Sequence, residues 1–275
     1  MRKTPILFAL ASFMYATPLQ ASFVNNAVDP KGLAMSGALT AVTGYAFGIF
    51  YNPSSPASAP KPEAGISYAI PYGDTNLGSI SGGFCLPRLP FDKNGAISAG
   101  VSRYGTDGYH ELTAAAGYAR SVTSSIRAGI SVSRMSLGMR GFADEAATGL
   151  NAGLQAELKP GLLFGISSMN LNAPKIGESR SPLPRTTLAG FSCRLVTGTL
   201  LTVNALGNPE RTGRLLAAGD FPVADNIHVM IGMATNPSTI SAGAGLGTGA
   251  LRATLAVSRD IDLGTTSSCG IEIIL

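Results

Sequence analysis

The chain has 275 residues, of which 13% are charged and 45% hydrophobic, with 34 glycines and a formal net charge of +4. A soluble domain carries about 25% charged residues, so this one would have trouble covering a water-facing surface. No basic patch or charge run points to nucleic acid, and Cys85, Cys193 and Cys269 lack CxxC or CxxH spacing, so neither a zinc site nor a disulfide framework is indicated.

Residues 1–21 read as a secretory signal peptide. Arg2 and Lys3 precede an apolar run from Pro5 to Leu19, and Ala21 offers a small residue for cleavage. An N-terminal anchor helix fits less well, because Pro5 and Pro18 break a run already short for a bilayer. Leu19 is larger than the small residue usual three positions before a cut. Cleavage would remove two basic residues and leave the remainder near neutrality.

Residues 22–63 show no period of two. They hold a small-residue run, Gly32-Leu33-Ala34-Met35-Ser36-Gly37-Ala38, then Phe50-Tyr51-Asn52-Pro53 and a Pro/Ser/Ala-rich stretch to Pro62. This is long for a loop and too apolar for disorder. A plug folded into a barrel mouth accounts for both.

From Ala64 to the end, residues 64–275, the chain reads as about fourteen strands of roughly ten residues each, the length a tilted strand needs to cross a bilayer. They begin near Ala64, Asn76, Asn94, His110, Ser124, Ala147, Gly161, Pro184, Thr199, Thr212, Asn226, Thr239, Ala250 and Thr266. Turn signals separate them, among them Asp92-Lys93-Asn94-Gly95, Thr106-Asp107-Gly108 and Asn208-Pro209-Glu210. Alternation is plain in several. Ile126, Ala128, Ile130 and Val132 oppose Arg127, Gly129, Ser131 and Ser133; Ile240, Ala242, Ala244 and Leu246 oppose Ser241, Gly243, Gly245 and Gly247. Each cysteine falls in such a strand, where it behaves as a small hydrophobe; one incidental disulfide stays open.

The expected fold class is therefore all-β, a transmembrane antiparallel up-and-down barrel with an N-terminal hatch. A soluble secreted β-protein is the alternative. The membrane reading is favoured because the apolar faces are nearly free of charge while the opposite faces carry Gly, Ser and Ala, too small and polar for a dry core. Two features run against it: Leu275 stands where a terminal aromatic is usual, and without Trp the aromatic girdles fall to Tyr and Phe. Tyr68, Tyr72, Tyr104 and Tyr118 lie near strand ends, as a girdle requires.

Charges on the small-residue faces, Glu111, Arg127, Glu157, Arg194, Arg252 and Glu272, should point into the lumen or lie at strand ends, since an Arg facing lipid at mid-span costs about 2–4 kcal/mol. Both signs are interleaved, which suits a mutual ion-pair network holding the hatch better than a polar path.

No catalytic chemistry emerges, and no cofactor is expected. His110 and His228 have no ligands at metal spacing, and neither GxSxG nor a Walker sequence occurs. Gly243-Ala244-Gly245-Leu246-Gly247 lies inside a strand rather than before a helix, so it is no phosphate loop. Asp144-Glu145 reads as an exposed turn.

The run from Gly32 to Ala38, then Ala41-Val42, then Ala46-Phe47-Gly48-Ile49-Phe50-Tyr51-Asn52-Pro53, resembles the N-terminal signature of the FadL outer-membrane transporter superfamily, nearest its PorV/PorQ-like branch. Gly37, Asn52 and Pro53 are the hatch motif. Ser54 replaces the family's usual Ala, and Thr43-Gly44-Tyr45 replaces an acidic pair. At the other end, Asn236-Pro237, Ala242 to Leu246, Arg252 to Val257 and Asp262 to Thr266 resemble the closing pattern, with Asp260 and Thr266 in place of its histidines. The resemblance implies a fourteen-stranded, non-enzymatic barrel with a hatch, in the cell outer membrane. It implies passive transport of hydrophobic small molecules or, alternatively, a type IX-like secretion or envelope-scaffold role with exported proteins as partners. Outer-membrane lipid and, during insertion, the barrel-assembly machinery are the remaining expected partners.

Overall fold

The computed structural model describes Phe23 and residues 27–177, 180–208 and 211–275; the expected signal peptide and Pro209-Glu210 lie outside the described residues. Its first ordered element is a single helical turn, α1 (Pro30–Ala34). Asp29 caps it, accepting the Gly32 amide at 3.1 Å, and Pro30 at the first position fixes φ where no amide donor is needed. Two 3-10 turns follow, Gly48–Phe50 and Ser55–Ser58.

The remainder alternates strand and turn. The strands are β1 (Glu63–Ile70), β2 (Gly78–Leu89), β3 (Asp92–Gly105), β4 (Tyr109–Ser121), β5 (Ile126–Met139), β6 (Glu145–Lys159) and β7 (Leu162–Met169), then a small separate hairpin of β8 (Lys175–Ile176) and β9 (Ser181–Pro182). They continue with β10 (Thr186–Arg194), β11 (Leu200–Asn208), β12 (Arg211–Ala224), β13 (Ile227–Ala234), β14 (Thr239–Thr248), β15 (Leu251–Asp260) and β16 (Gly264–Ile274). Leaving out β8 and β9, neighbours in sequence pair antiparallel, and β1 pairs with both β2 and β16, so fourteen strands among the described residues close on themselves. Closure leaves no unpaired sheet edge.

Turns at one end of the barrel, the turn end, hold two to five residues, as at 90–91, 160–161 and 249–250, and β1 starts and β16 finishes there. The connections at the opposite end, the loop end, include the longest, 170–185. The Asp92-Lys93-Asn94-Gly95 turn signal lies inside β3. The actual turn is Pro90-Phe91, because a register shift between Pro87 and Leu89 brings Leu89 opposite Asp92.

The period of two decides which face each residue takes. Ile130, Ile240 and Leu255 are 65%, 70% and 66% exposed on the outside, whereas Ser131, Ser241 and Thr254 between or beside them are buried inside. A one-residue slip would exchange these faces, so the pattern fixes the register. The aromatics divide as well. Tyr68 and Tyr118 face outward, but Tyr104 lines the lumen and Tyr72 sits in a turn between β1 and β2. The four are thus not one girdle. All three cysteines are free.

Candidate functional site

The N-terminal segment lies inside the barrel, against inner-face residues of the wall. Its lack of regular structure leaves backbone carbonyls without partners, and the wall supplies donors. Ser192 Oγ donates to the Ala41 carbonyl at 2.6 Å, Thr202 Oγ1 to Ala38 at 3.0 Å, and Ser167 Oγ to Tyr51 at 2.9 Å. Gln155 Nε2 reaches both Thr40 and Val42 carbonyls, at 3.1 and 2.9 Å. Ser67 Oγ donates to Val28 at 2.6 Å, and Ser36 and Ser241 share a hydroxyl contact of 2.9 Å. Each is a neutral hydrogen bond of about 1 kcal/mol net, and the buried ones, from Ser192, Thr202, Ser167 and Gln155, would cost more if left unpaired.

Glycines on the inner face make the approach close enough for these bonds. A methyl group at Gly83 would meet the Ala46 carbonyl, at Gly165 the Thr40 carbonyl, at Gly129 the Pro53 carbonyl and at Gly232 the Ala34 carbonyl. Inner-face glycine is what lets a backbone lie against the wall.

Among the hatch-motif residues, Asn52 is wholly buried. Its Nδ2 donates to the Thr40 carbonyl at 2.7 Å, and its Oδ1 accepts the Ser54 amide and hydroxyl at 3.0 and 2.8 Å. It thereby ties two passes of the hatch together. Pro53 is equally buried against β5 at Gly129. Gly37 takes φ +77 just after α1, a left-handed value that glycine adopts without strain. The adjacent Ser36 also has positive φ.

A second buried group lies where α1 meets the hatch. Tyr51 Oη donates to Asp29 Oδ1 at 2.7 Å, and Tyr45 stacks on Tyr51 with ring centroids 6.2 Å apart. Lys31 Nζ lies 5.3 Å over the Tyr45 ring and 4.0 Å from Asp220. Burial pushes the Asp29 carboxyl up to about 6, although the Tyr51 bond pulls the other way. Asp220 also meets His228 Nδ1 at 2.9 Å. Sequence reading did not single out Asp29 or Lys31, and it met Tyr51 only as part of the run ending in Asn52-Pro53, because no local pattern shows that the three meet.

The expected lumen charges separate into distinct places. Arg252 Nη1 meets Glu272 Oε2 at 2.9 Å, and Arg127 Nη2 lies 3.8 Å from Glu157 Oε2, both pairs at the turn end. Arg194, the last residue of β10, is exposed, and its guanidinium donates to the Gly198 carbonyl at 3.3 Å within its own turn. Glu111 stands apart near the loop end, buried, accepting the Phe23 amide at 2.8 Å and the Tyr109 hydroxyl at 2.6 Å. The charges do not form one network, and hydroxyl and amide donors to carbonyls make most of the bonds to the hatch, beside the charged contacts Lys31–Asp220 and Phe23–Glu111. The reason is geometric: the hatch presents carbonyls, which need donors and not charges. Among the described residues no group of three His, Cys, Asp or Glu side chains could hold a metal.

On the loop-end side of the hatch is a cavity of about 130 Å³. Its floor is hatch side chains Val28, Ile49 and Phe50, and its walls include Met135, Met169 and Glu111. Phe23 reaches the same space, packing with Met135, Ile176 and Leu183.

No protein-family model matches the sequence, and no curated protein matches it significantly. Solved structures match in fold. A FadL homologue of Pseudomonas aeruginosa aligns at 12% identity with a TM-score of 0.66, covering 92% of this chain and 99% of that one. The toluene transporter TbuX of Ralstonia pickettii aligns at 12% identity and TM-score 0.65, covering 92% and 100%. The toluene transporter TodX of Pseudomonas putida gives 12% and 0.64, covering 91% and 97%. The chain thus shares the barrel fold of FadL-type channels.

Proposed function

We propose that this chain is a non-enzymatic outer-membrane barrel that passes small hydrophobic compounds across the membrane. The observation that carries the reading is the combination of an aliphatic outer wall with an N-terminal segment seated in the lumen. Side chains such as Ile66, Val101, Leu154, Val203 and Ile271 stand exposed all round the barrel. Exposed apolar surface on this scale suits acyl chains and not water. No described helix is long and apolar enough to cross a membrane. The likeness in fold to two toluene transporters supports hydrophobic cargo. Export through a cleaved signal peptide over residues 1–21 belongs to the same reading.

Conduction requires the hatch to shift. Most of its bonds to the wall are neutral, with Lys31–Asp220 and Phe23–Glu111 as the charged contacts, and the backbone joins it to the barrel at β1. Uptake of a fluorescent hydrophobic aromatic into proteoliposomes should exceed that into empty vesicles; equal uptake would dismiss the channel.

A second reading has one observation behind it. The hatch is bonded to at least six strands of the wall, which also suits a permanently plugged barrel acting as a PorV/PorQ-like scaffold or a type IX-like secretion component. Recovery of an envelope protein with the purified barrel, together with no uptake, would favour it.

A further inference from the structure

The outer wall carries a polar cleft of its own at the loop end. Outward residues of neighbouring strands share rungs, and one rung sets Tyr68 of β1, Ile80 of β2 and Arg103 of β3 side by side. Tyr68 and Ile80 are exposed, and Arg103 takes the outward parity of exposed Val101 on the same strand. Beyond them the connections 71–77 and 106–108 wall a cleft of about 620 Å³, which Arg140 of the connection 140–144 completes. The Arg140 amide donates to the Gly108 carbonyl at 2.9 Å, which holds two of the connections together.

The cleft carries positive charge that the chain does not pair. Arg103 Nη2 makes one long bond, 3.5 Å, to the Thr106 carbonyl, and the Arg140 guanidinium makes none among the described residues. Neither forms an ion pair there, although Asp107 lines the same cleft and Asp144 shares the connection with Arg140. Arg134, outward on β5, adds positive charge on this side and bonds the neutral Thr148 hydroxyl at 3.2 Å. An outward arginine is costly at mid-span and tolerated where its long stem carries the guanidinium to the headgroup level. There its fork of donors matches phosphate oxygens in both geometry and charge.

Below the cleft the wall is shaped for a hydrocarbon chain. One rung toward the turn end, Gly82 lies between Ile66 and Val101. Both neighbours are exposed aliphatics, and the glycine between them leaves a furrow. A free phosphate would leave this furrow and most of the cleft empty.

We propose that the cleft binds a lipid with a phosphorylated sugar headgroup from the leaflet that faces the loop end. Arg103 and Arg140 hold the phosphate, Asp107 accepts a sugar hydroxyl, and one acyl chain lies along Gly82 between Ile66 and Val101. The inference rests on the membrane placement of the barrel and is independent of what passes its lumen.

Native mass spectrometry of the purified full-length barrel in neutral detergent tests this with diphosphorylated lipid A, the same lipid stripped of its phosphates, and inorganic phosphate. Wild type should retain lipid A at least tenfold more tightly than the stripped lipid, and should not retain inorganic phosphate at equal concentration. Arg103→Gln/Arg140→Gln should lose lipid A at least tenfold. Arg259→Gln, which removes an outward arginine of β15 outside the cleft, should keep it. Each variant is first checked for the heat-dependent gel mobility of a closed barrel; Arg140→Gln alone, in an exposed connection, replaces the double variant if that fails to close. Equal retention of the two lipids, unchanged binding by the cleft variants, or an equal loss in Arg259→Gln would overturn the proposal. So would retention of inorganic phosphate without the lipid. A barrel that floats with membranes yet retains no lipid A loses this site alone, whereas a chain that stays soluble and shows no mobility shift loses the membrane placement as well.

Discussion

Gly153 of β6 lies directly against the side-chain oxygen of Asn52, so closely that any β-carbon there would collide with it. With Gly83, Gly129, Gly165 and Gly232, this glycine is one of the close approaches that set how deep the hatch sits.

Replacing Gly153 by Leu should unseat the hatch while leaving the barrel closed. Overpacking of this kind typically costs about 1–3 kcal/mol. Trypsin should then cut after Lys31 in the variant and leave that bond intact in wild type, and heat-dependent gel mobility should persist in both. Equal protection of Lys31 would show that the hatch does not depend on this contact.

Asn52→Ala removes a buried donor to the Thr40 carbonyl and the acceptor for Ser54. Orphaned buried groups cost about 1–3 kcal/mol, so the urea midpoint should fall. Asn52→Asp should do worse, because it keeps the acceptor, loses the donor and buries a charge.

Arg252 and Glu272 call for a double-mutant cycle. Glu272 is nearly buried, and its partner Arg252 is about a third exposed. Arg252→Met alone should destabilise by about 1–3 kcal/mol, less than a fully buried pair, since it strands a carboxylate. The double variant Arg252→Met/Glu272→Met should recover most of that loss. Additive losses would mean that the pair has no coupling.

Asp29 predicts a pH dependence of hatch seating. Its folded value is raised to about 6 from 3.8, so the folded hatch binds the proton more tightly than a released one. Below about pH 4 both states are protonated and seating is strongest. It weakens as pH rises through 6, by on the order of 3 kcal/mol in total. Asp29→Asn should flatten this slope, read from protease protection of Lys31 between pH 4 and 8.

The barrel was legible because its signal is local and repeated. Ile126 to Ser133 and Ile240 to Gly247 declare their inner and outer faces by alternation alone, and both take those faces in the structure. What the hatch binds was not legible. Ser192, Thr202 and Gln155 look like ordinary inner-face residues, and their carbonyl partners lie 151, 164 and about 115 positions away. Tyr104 was misplaced for a related reason: nearness to a strand end says nothing about which side of the wall a ring takes. Arg194 followed the inward parity of β10, but at the final residue the chain is already turning, and the guanidinium satisfies the turn instead.

The most direct test of the channel uses the contact between Ser36 in the hatch and Ser241 in the wall, whose hydroxyl oxygens are 2.9 Å apart. Ser36→Cys/Ser241→Cys, in a background with Cys85, Cys193 and Cys269 replaced by Ala, can be oxidised to tie hatch to barrel. Uptake of a hydrophobic aromatic into proteoliposomes should stop on oxidation and return on reduction. Uptake that is unchanged by the lock, or no greater than that of empty vesicles in the reduced state, would contradict a channel gated by its hatch.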